Sequence, residues 1–293
     1  MNSTQRAYLE LHFAVLLYGF TAILGGLIDL PALVLVWWRI FITCSAIMVY
    51  GNIFKRLKDL PKPIIYKLLG IGTIVATHWL AFFGAIKLSN ASVALVTFAT
   101  TSFQSSLLEP LLTRQRIKWY EVALGIVIVP AMAIIVGSLP AEMSWGVIAG
   151  LCSAFLAVIF SILNKSLIKN ADPLSITFLN LSGGWLWLSF ILIFYFQKEP
   201  TLKWLPSGMD WVYLLVLALV CTNLGYLLGI RALRHLSAFT ANLTINLEPV
   251  YGIILAWLIL KEDKQLTTNF YWGAALIILA VLAYPFLKKR FEK

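Results

Sequence analysis

Apolar runs long enough to cross a bilayer recur along this 293-residue chain and leave few architectures open. A helix rising 1.5 Å per residue needs about twenty residues to traverse a hydrocarbon core of about 30 Å. Ten such stretches can be drawn, near 7–28, 32–53, 64–87, 90–113, 118–138, 144–168, 173–196, 209–233, 237–260 and 267–287. The gaps carry turn-forming residues, among them Asp29-Leu30-Pro31, Pro61-Lys62-Pro63, Asp172-Pro173 and Pro206-Ser207-Gly208. In lipid each segment must satisfy its own backbone polar groups, so spans of this kind are helices. Charged residues are 12% of the chain, against about a quarter in a soluble domain. The expected fold class is therefore all-α, a polytopic membrane protein of ten transmembrane helices.

The net charge of +10 invites a nucleic-acid reading, which the placement of the charges removes. With the N-terminus inside, seventeen of the 23 Lys and Arg residues fall in cytoplasmic segments and five in external ones. Arg39 alone lies within a span. This asymmetry is the positive-inside bias, and it predicts cytoplasmic termini. The stretch behind Arg6 has no small-residue cleavage site and reads as a retained first span. Cys44, Cys152 and Cys221 lie singly in apolar runs, which suits packing and supports neither a disulfide framework nor a zinc site.

A weak internal repeat divides the chain into 1–140 and 141–293. At an offset of 148, Leu88-Ser89 falls on Leu236-Ser237, Leu95 on Leu243, Gly125 on Gly273, and His78 on Tyr226. Five spans per half is an odd number, so the second half is expected to be inverted relative to the first. Inverted repeats with a site at their midplane interface are a common plan for secondary transporters. Leu108-Glu109-Pro110 looks like a twin of Leu247-Glu248-Pro249, yet this offset sets Glu109 against Trp257 and Glu248 against Thr100. Glu109 is expected near the cytoplasmic interface, pairing with Arg114 or Arg116. Glu262 is expected at the external end, outside the pocket.

The layout resembles the drug/metabolite transporter superfamily, specifically its EamA-type members. The resemblance is carried by Ala232-Leu233-Arg234-His235-Leu236-Ser237-Ala238, then Asn246-Leu247-Glu248-Pro249-Val250, Leu260-Lys261-Glu262 and Gly273. The first half is a looser match through Ala85-Ile86-Lys87-Leu88-Ser89-Asn90-Ala91, with Thr101 where the family usually has a mid-span proline and Tyr18-Gly19 where Trp-Gly is common. The resemblance implies two five-helix halves and non-ATP transport. The chain looks most like bacterial metabolite exporters, including those for aromatic and other amino acids.

Candidate pathway residues are those whose polarity is costly at bilayer depth. Glu248 lies near the middle of the ninth span, beside Pro249, which frees a backbone carbonyl. It reads as a site for a substrate amine or a proton, or as a structural ion pair. Arg39, at similar depth, offers a guanidinium fork for a carboxylate or a partner for Glu248. His78 reads as a pocket residue that could relay protons. Tyr226, opposite it in the repeat, is three residues after Asn223 and so is expected to share a helical face with it. Asn246 stands two residues before Glu248, and Tyr18, Trp79 and Tyr226 could stack on an aromatic ligand. The same aromatics suit core or lipid-facing packing.

No nucleotide-binding loop, zinc motif, selectivity filter or voltage sensor occurs, so no cofactor, metal or catalytic residue is expected. The reading is a secondary transporter exporting small metabolites such as amino acids by alternating access. Importer and drug-efflux activities are alternatives, as is, from a different class, an intramembrane lipid-acting enzyme built on His78 and Glu248. The expected partners are a small-molecule substrate, the bilayer and protons, with a monomer sufficing. The expected location is a bacterial inner membrane.

Overall fold

The computed structural model describes residues 3–199, 201–245, 247–262 and 266–291. Helices α1 (Ser3–Leu27), α2 (Ala32–Tyr50), the short α3 (Ile53–Lys58) and α4 (Lys62–Leu88) open the chain. The fourth span consists of α5 (Ala91–Phe98) and α6 (Thr101–Thr113), and α7 (Trp119–Val136) completes the first half. Then come α8 (Ser144–Leu167) and α9 (Pro173–Lys198). The eighth span joins α10 (Met209–Leu215), a π-helical stretch Val216–Leu224 and α11 (Gly225–Ala232). The ninth joins α12 (Ala238–Ile245), α13 (Glu248–Leu255) and a second π stretch, Ala256–Leu260. Last is α14 (Thr268–Phe291).

Seven of these segments are long and apolar enough to cross a membrane, and Trp119–Ile135, Glu248–Leu260 and Thr268–Ala280 are shorter apolar helices. Together they follow the ten sequence segments in order, and the chain is an all-α polytopic membrane protein. The sequence marked Pro249 as a break in the ninth span; the fourth and eighth are interrupted as well.

Helix α4 packs along both α8 and α9, while α7 and α14 pair at the edge of the bundle around Ile128, Ile135 and Phe270. Glycines set the closest approach. A Cβ on Gly72 would stand 2.0 Å from the Asn180 carbonyl oxygen, and one on Gly183 2.1 Å from that of Leu69. Only backbone fits there, which brings Asn180 and the polar face of α9 against the interior.

The fourth and ninth spans share a construction. Asn90 caps α5 by accepting from the Val93 N–H at 2.9 Å, and Ser237 caps α12 by accepting from Thr240 at 3.0 Å. Both capping pairs are 147 residues apart. So are the residues that end the spans in left-handed conformation, Arg114 (φ 56°) and Lys261 (φ 54°). The structural repeat therefore runs one residue short of the 148 offset, and Thr101 stands opposite Glu248.

Two carboxylates tie these spans to each other. Glu262, at the end of one, accepts from Ala91 N and Ser92 N at 3.0 Å and from Ser92 Oγ at 2.6 Å, at the start of the other. Glu109 in α6 accepts from Ala238 N at 3.2 Å, at the start of α12. The spans therefore run antiparallel. Glu109 is thus a buried cap on the start of α12, and Glu262 serves the start of α5 in the same way. The 148 offset missed this because Glu109 sits one turn before its span's terminal cap, whereas Glu262 follows immediately after its own.

Candidate functional site

A cavity of about 100 Å³ lies at the centre of the bundle. Its walls come from α1 (Leu11, Tyr18, Thr21), α2 (Arg39), α4 (His78, Trp79, Phe82), α5 (Phe98) and α8 (Ala157, Phe160, Ser161). The eighth and ninth spans add Tyr226, Gly229, Ile230, Leu233, Ala241, Ile245 and Glu248. Six of the eight residues singled out from the sequence thus meet here: Glu248, Arg39, His78, Tyr226, Trp79 and Tyr18. Asn246 lies outside the described residues.

Asn223 is turned elsewhere, its Oδ1 accepting from the Tyr50 hydroxyl at 2.7 Å. This corrects the expectation that it shares Tyr226's face. That inference needed 3.6 residues per turn, and Asn223 lies in the π-helical stretch, whose wider turns change the phase.

The same stretch prepares the seat of Arg39. Thr222 Oγ1 donates to the Leu217 carbonyl, five residues back, at 2.6 Å and accepts from Arg39 Nε at 2.5 Å. The guanidinium carbon lies 3.9 Å from the Trp79 ring centroid, a cation–π contact. Arg39 Nη1 is buried and has no hydrogen-bond partner. Glu248, 4% exposed, feels the Arg39 charge, yet among the described residues no hydrogen bond or ion pair joins them or reaches the carboxylate. A buried charge without partners is costly. The sequence left a structural Arg39–Glu248 pair open; the geometry instead gives each charge a face on the cavity.

His78 Nδ1 lies 2.9 Å from both the carbonyl and the hydroxyl oxygen of Ser153, and its ring packs against Phe98 and Phe160. Among the described residues it makes no contact with Glu248 of the kind an acid–base pair needs. The Tyr18 hydroxyl donates to the Gly225 carbonyl at 2.8 Å, and a Cβ on Gly229 would stand 2.7 Å from it. The Gly225/Gly229 pair therefore makes room for Tyr18. Sequence reasoning missed Thr222, Ser161 and the Asn164–Asn180 pair behind Tyr226. The signal for the last was two asparagines in apolar runs, each of which needs a polar partner inside the bundle.

Leu11, Ile230, Leu233 and Ala241 line the cavity on the side nearer the N-terminal face, and all four are buried. There Glu10 Oε1 meets Arg6 Nε and Arg231 Nη2, each at 3.1 Å, so an ion pair between α1 and α11 flanks Leu11 and Ile230. A polar pocket of about 530 Å³ lies on this face, with Arg6, Arg56, Arg231, Arg234, Glu10 and Asp172 in its wall, and shares no lining residue with the central cavity. At the opposite end Lys203 bridges Asp29 at 2.6 Å and Asp210 at 3.4 Å, and Asp29 N donates to Asp210 Oδ1. The hydrogen bond to Asp29 raises the Lys203 pKa above its ordinary value. Trp37, Trp38, Trp185, Trp204 and Trp211 cluster toward this end.

The sequence profile of the EamA-like transporter family matches residues 5–137 and again 144–284. The chain belongs to the EamA-like transporter family. It is similar to the uncharacterized transporter YyaM of Bacillus subtilis, 22% identical over 290 residues and 93% of each chain. An uncharacterized transporter of Methanothermobacter thermautotrophicus is 25% identical over 152 residues, 47% of this chain and 42% of that one. A crystal structure superposes with a TM-score of 0.71 over 99% of both chains at 16% identity, which supports the fold. The protein is thus a multi-pass membrane transporter, and its central cavity is the candidate translocation site.

Proposed function

We propose that this transporter exports small metabolites such as amino acids across a bacterial inner membrane by alternating access, with both termini cytoplasmic. The observation that carries this reading is that Arg39 and Glu248 line one cavity beside the Trp79 ring, where Arg39 Nη1 and the Glu248 carboxylate have no partner among the described residues. A guanidinium N–H receives an α-carboxylate and a buried carboxylate receives an α-ammonium, so a zwitterion satisfies both. On a scale where about 150 Å³ holds benzene, this cavity suits a small ligand, and aromatic amino acids require it to widen. Protons are the proposed coupling ion, taken up at Glu248 or His78.

The test is efflux from cells preloaded with amino acids and dipeptides, with and without expression, followed by proteoliposome transport. Expected is faster loss of a subset of amino acids, abolished by Glu248→Gln with the protein still in the membrane. Equal efflux with and without expression across the panel overturns the reading. A His78→Ala variant that keeps the wild-type pH profile removes histidine from any proton route.

A further inference from the structure

Tyr226 has hydrogen-bond surroundings that fix what its hydroxyl can offer. Its oxygen accepts from Asn180 Nδ2 at 3.1 Å and from Asn164 Nδ2 at 3.4 Å. Asn180 Nδ2 also donates to Asn164 Oδ1 at 2.8 Å, which locks the two amides together. A phenolic oxygen has two lone pairs and one proton. Both lone pairs are taken, and among the described residues no acceptor receives the proton. Turning both amides round would leave the two N–H groups of Asn180 unpaired in place of its one carbonyl oxygen, at a fully buried position. It would also give the Tyr226 proton to Asn180 Oδ1, so the observed orientation is the cheaper one when a ligand in the cavity accepts that proton. Tyr226 lines the cavity edge-on to Trp79, with ring centroids 5.9 Å apart, while Arg39 lies over the same indole.

We infer that Asn164 and Asn180 hold Tyr226 as an obligatory hydrogen-bond donor, which selects substrates carrying an acceptor on the side chain. This rests on the amino-acid export reading. Arg39 Nη1 and the Tyr226 O–H are then two donors flanking one aromatic face: the first takes the α-carboxylate, the second an oxygen further along the substrate. Hydroxyl and carboxamide side chains meet that requirement and purely aliphatic ones do not. Tyr226 is the specificity-determining residue, and Asn164 and Asn180 are positioning residues acting through it. A site built to donate to a substrate oxygen discriminates against the isostere lacking it more sharply than an apolar pocket does.

The test uses the full-length protein in proteoliposomes and two near-isosteric pairs, threonine with valine and asparagine with leucine. Wild type should move threonine and asparagine with KM at least about tenfold below their partners. Tyr226→Phe should raise KM for threonine and asparagine about tenfold and leave valine and leucine unchanged. Asn180→Leu releases a lone pair and lets the hydroxyl turn to Asn164 Oδ1, so it should raise KM for the same two substrates. A folding defect would lower uptake of all four together, and the ratio within each pair separates that from lost recognition. Equal KM within the pairs for wild type, or a pair ratio unchanged in Tyr226→Phe, overturns the inference while leaving export standing. A wild-type protein that moves none of a broad amino-acid panel overturns the export reading, and this inference with it.

Discussion

The fourth and ninth spans are built to one plan and carry different chemistry. Each begins with an eight-residue helix behind a side-chain N-cap, each resumes three residues later, and each stops at a left-handed residue. Each is fastened to the start of the other by a buried carboxylate. At the resumption the ninth span places Glu248-Pro249 and the fourth places Thr101-Ser102. The fourth span breaks without a proline. Thr97 Oγ1 donates to the Val93 and Ala94 carbonyls, and Thr100 Oγ1 to that of Thr97, so hydroxyls compete with the helix ladder where proline would have interrupted it. The shared plan is thus a mechanical property of the repeat, and the charge is an addition to one copy. On the export mechanism proposed above, geometry common to both halves would serve movement and the charge present in one would serve the ligand.

The sharpest way to break that distinction is to exchange the two chemistries. Glu248→Gln is expected to lower transport by roughly 10- to 100-fold, the cost of losing a charge-assisted contact of about 1.5–3 kcal/mol. Thr101→Val should change it less than about threefold. Initial rates in proteoliposomes decide this, and comparable losses would mean that both breaks act mechanically. Next in size is the double variant Arg39→Gln/Glu248→Gln. Because each charge faces the cavity separately, neutralising both should not restore transport; recovery would reveal a structural pair.

The two caps test the shared part of the plan. Glu262→Gln removes charge from three donors and should cost about 2 kcal/mol of stability, with Glu109→Gln similar. Thermal unfolding in detergent measures both, and a large effect at one alone would show that the caps are not equivalent. The smallest effect is expected at the exposed Lys203–Asp29 tie, which has no counterpart in either span. Its pKa is raised in the folded protein, so its stabilisation is complete below about pH 10 and fades as the pH climbs through the raised value. Asp29→Asn should remove that alkaline step in melting temperature.

Depth was legible in the sequence. The position of Glu248, Arg39, His78 and Trp79 along their helices followed from counting 1.5 Å per residue, and that put them at one level. Direction was less legible. Tyr226 faces the cavity although the 147 offset sets His78 against Gly225, and Asn223 does not follow it, because a π-helical stretch intervenes. The Glu109–Glu262 correspondence was hidden because one carboxylate precedes its span's terminal cap and the other follows it.

The sequence by itself determined an all-α membrane protein, its order of apolar segments, and the few side chains whose polarity has no place in lipid. These follow from solvation, which acts on each segment alone. The tertiary structure decided that Arg39 rests on Thr222 and Trp79 instead of pairing with Glu248. It also decided that two asparagines stand behind Tyr226 and that each broken span is capped by the other. Those choices depend on the azimuth of each helix and on close approach between distant segments, such as Gly72 against Asn180. Neither is fixed until the helices pack.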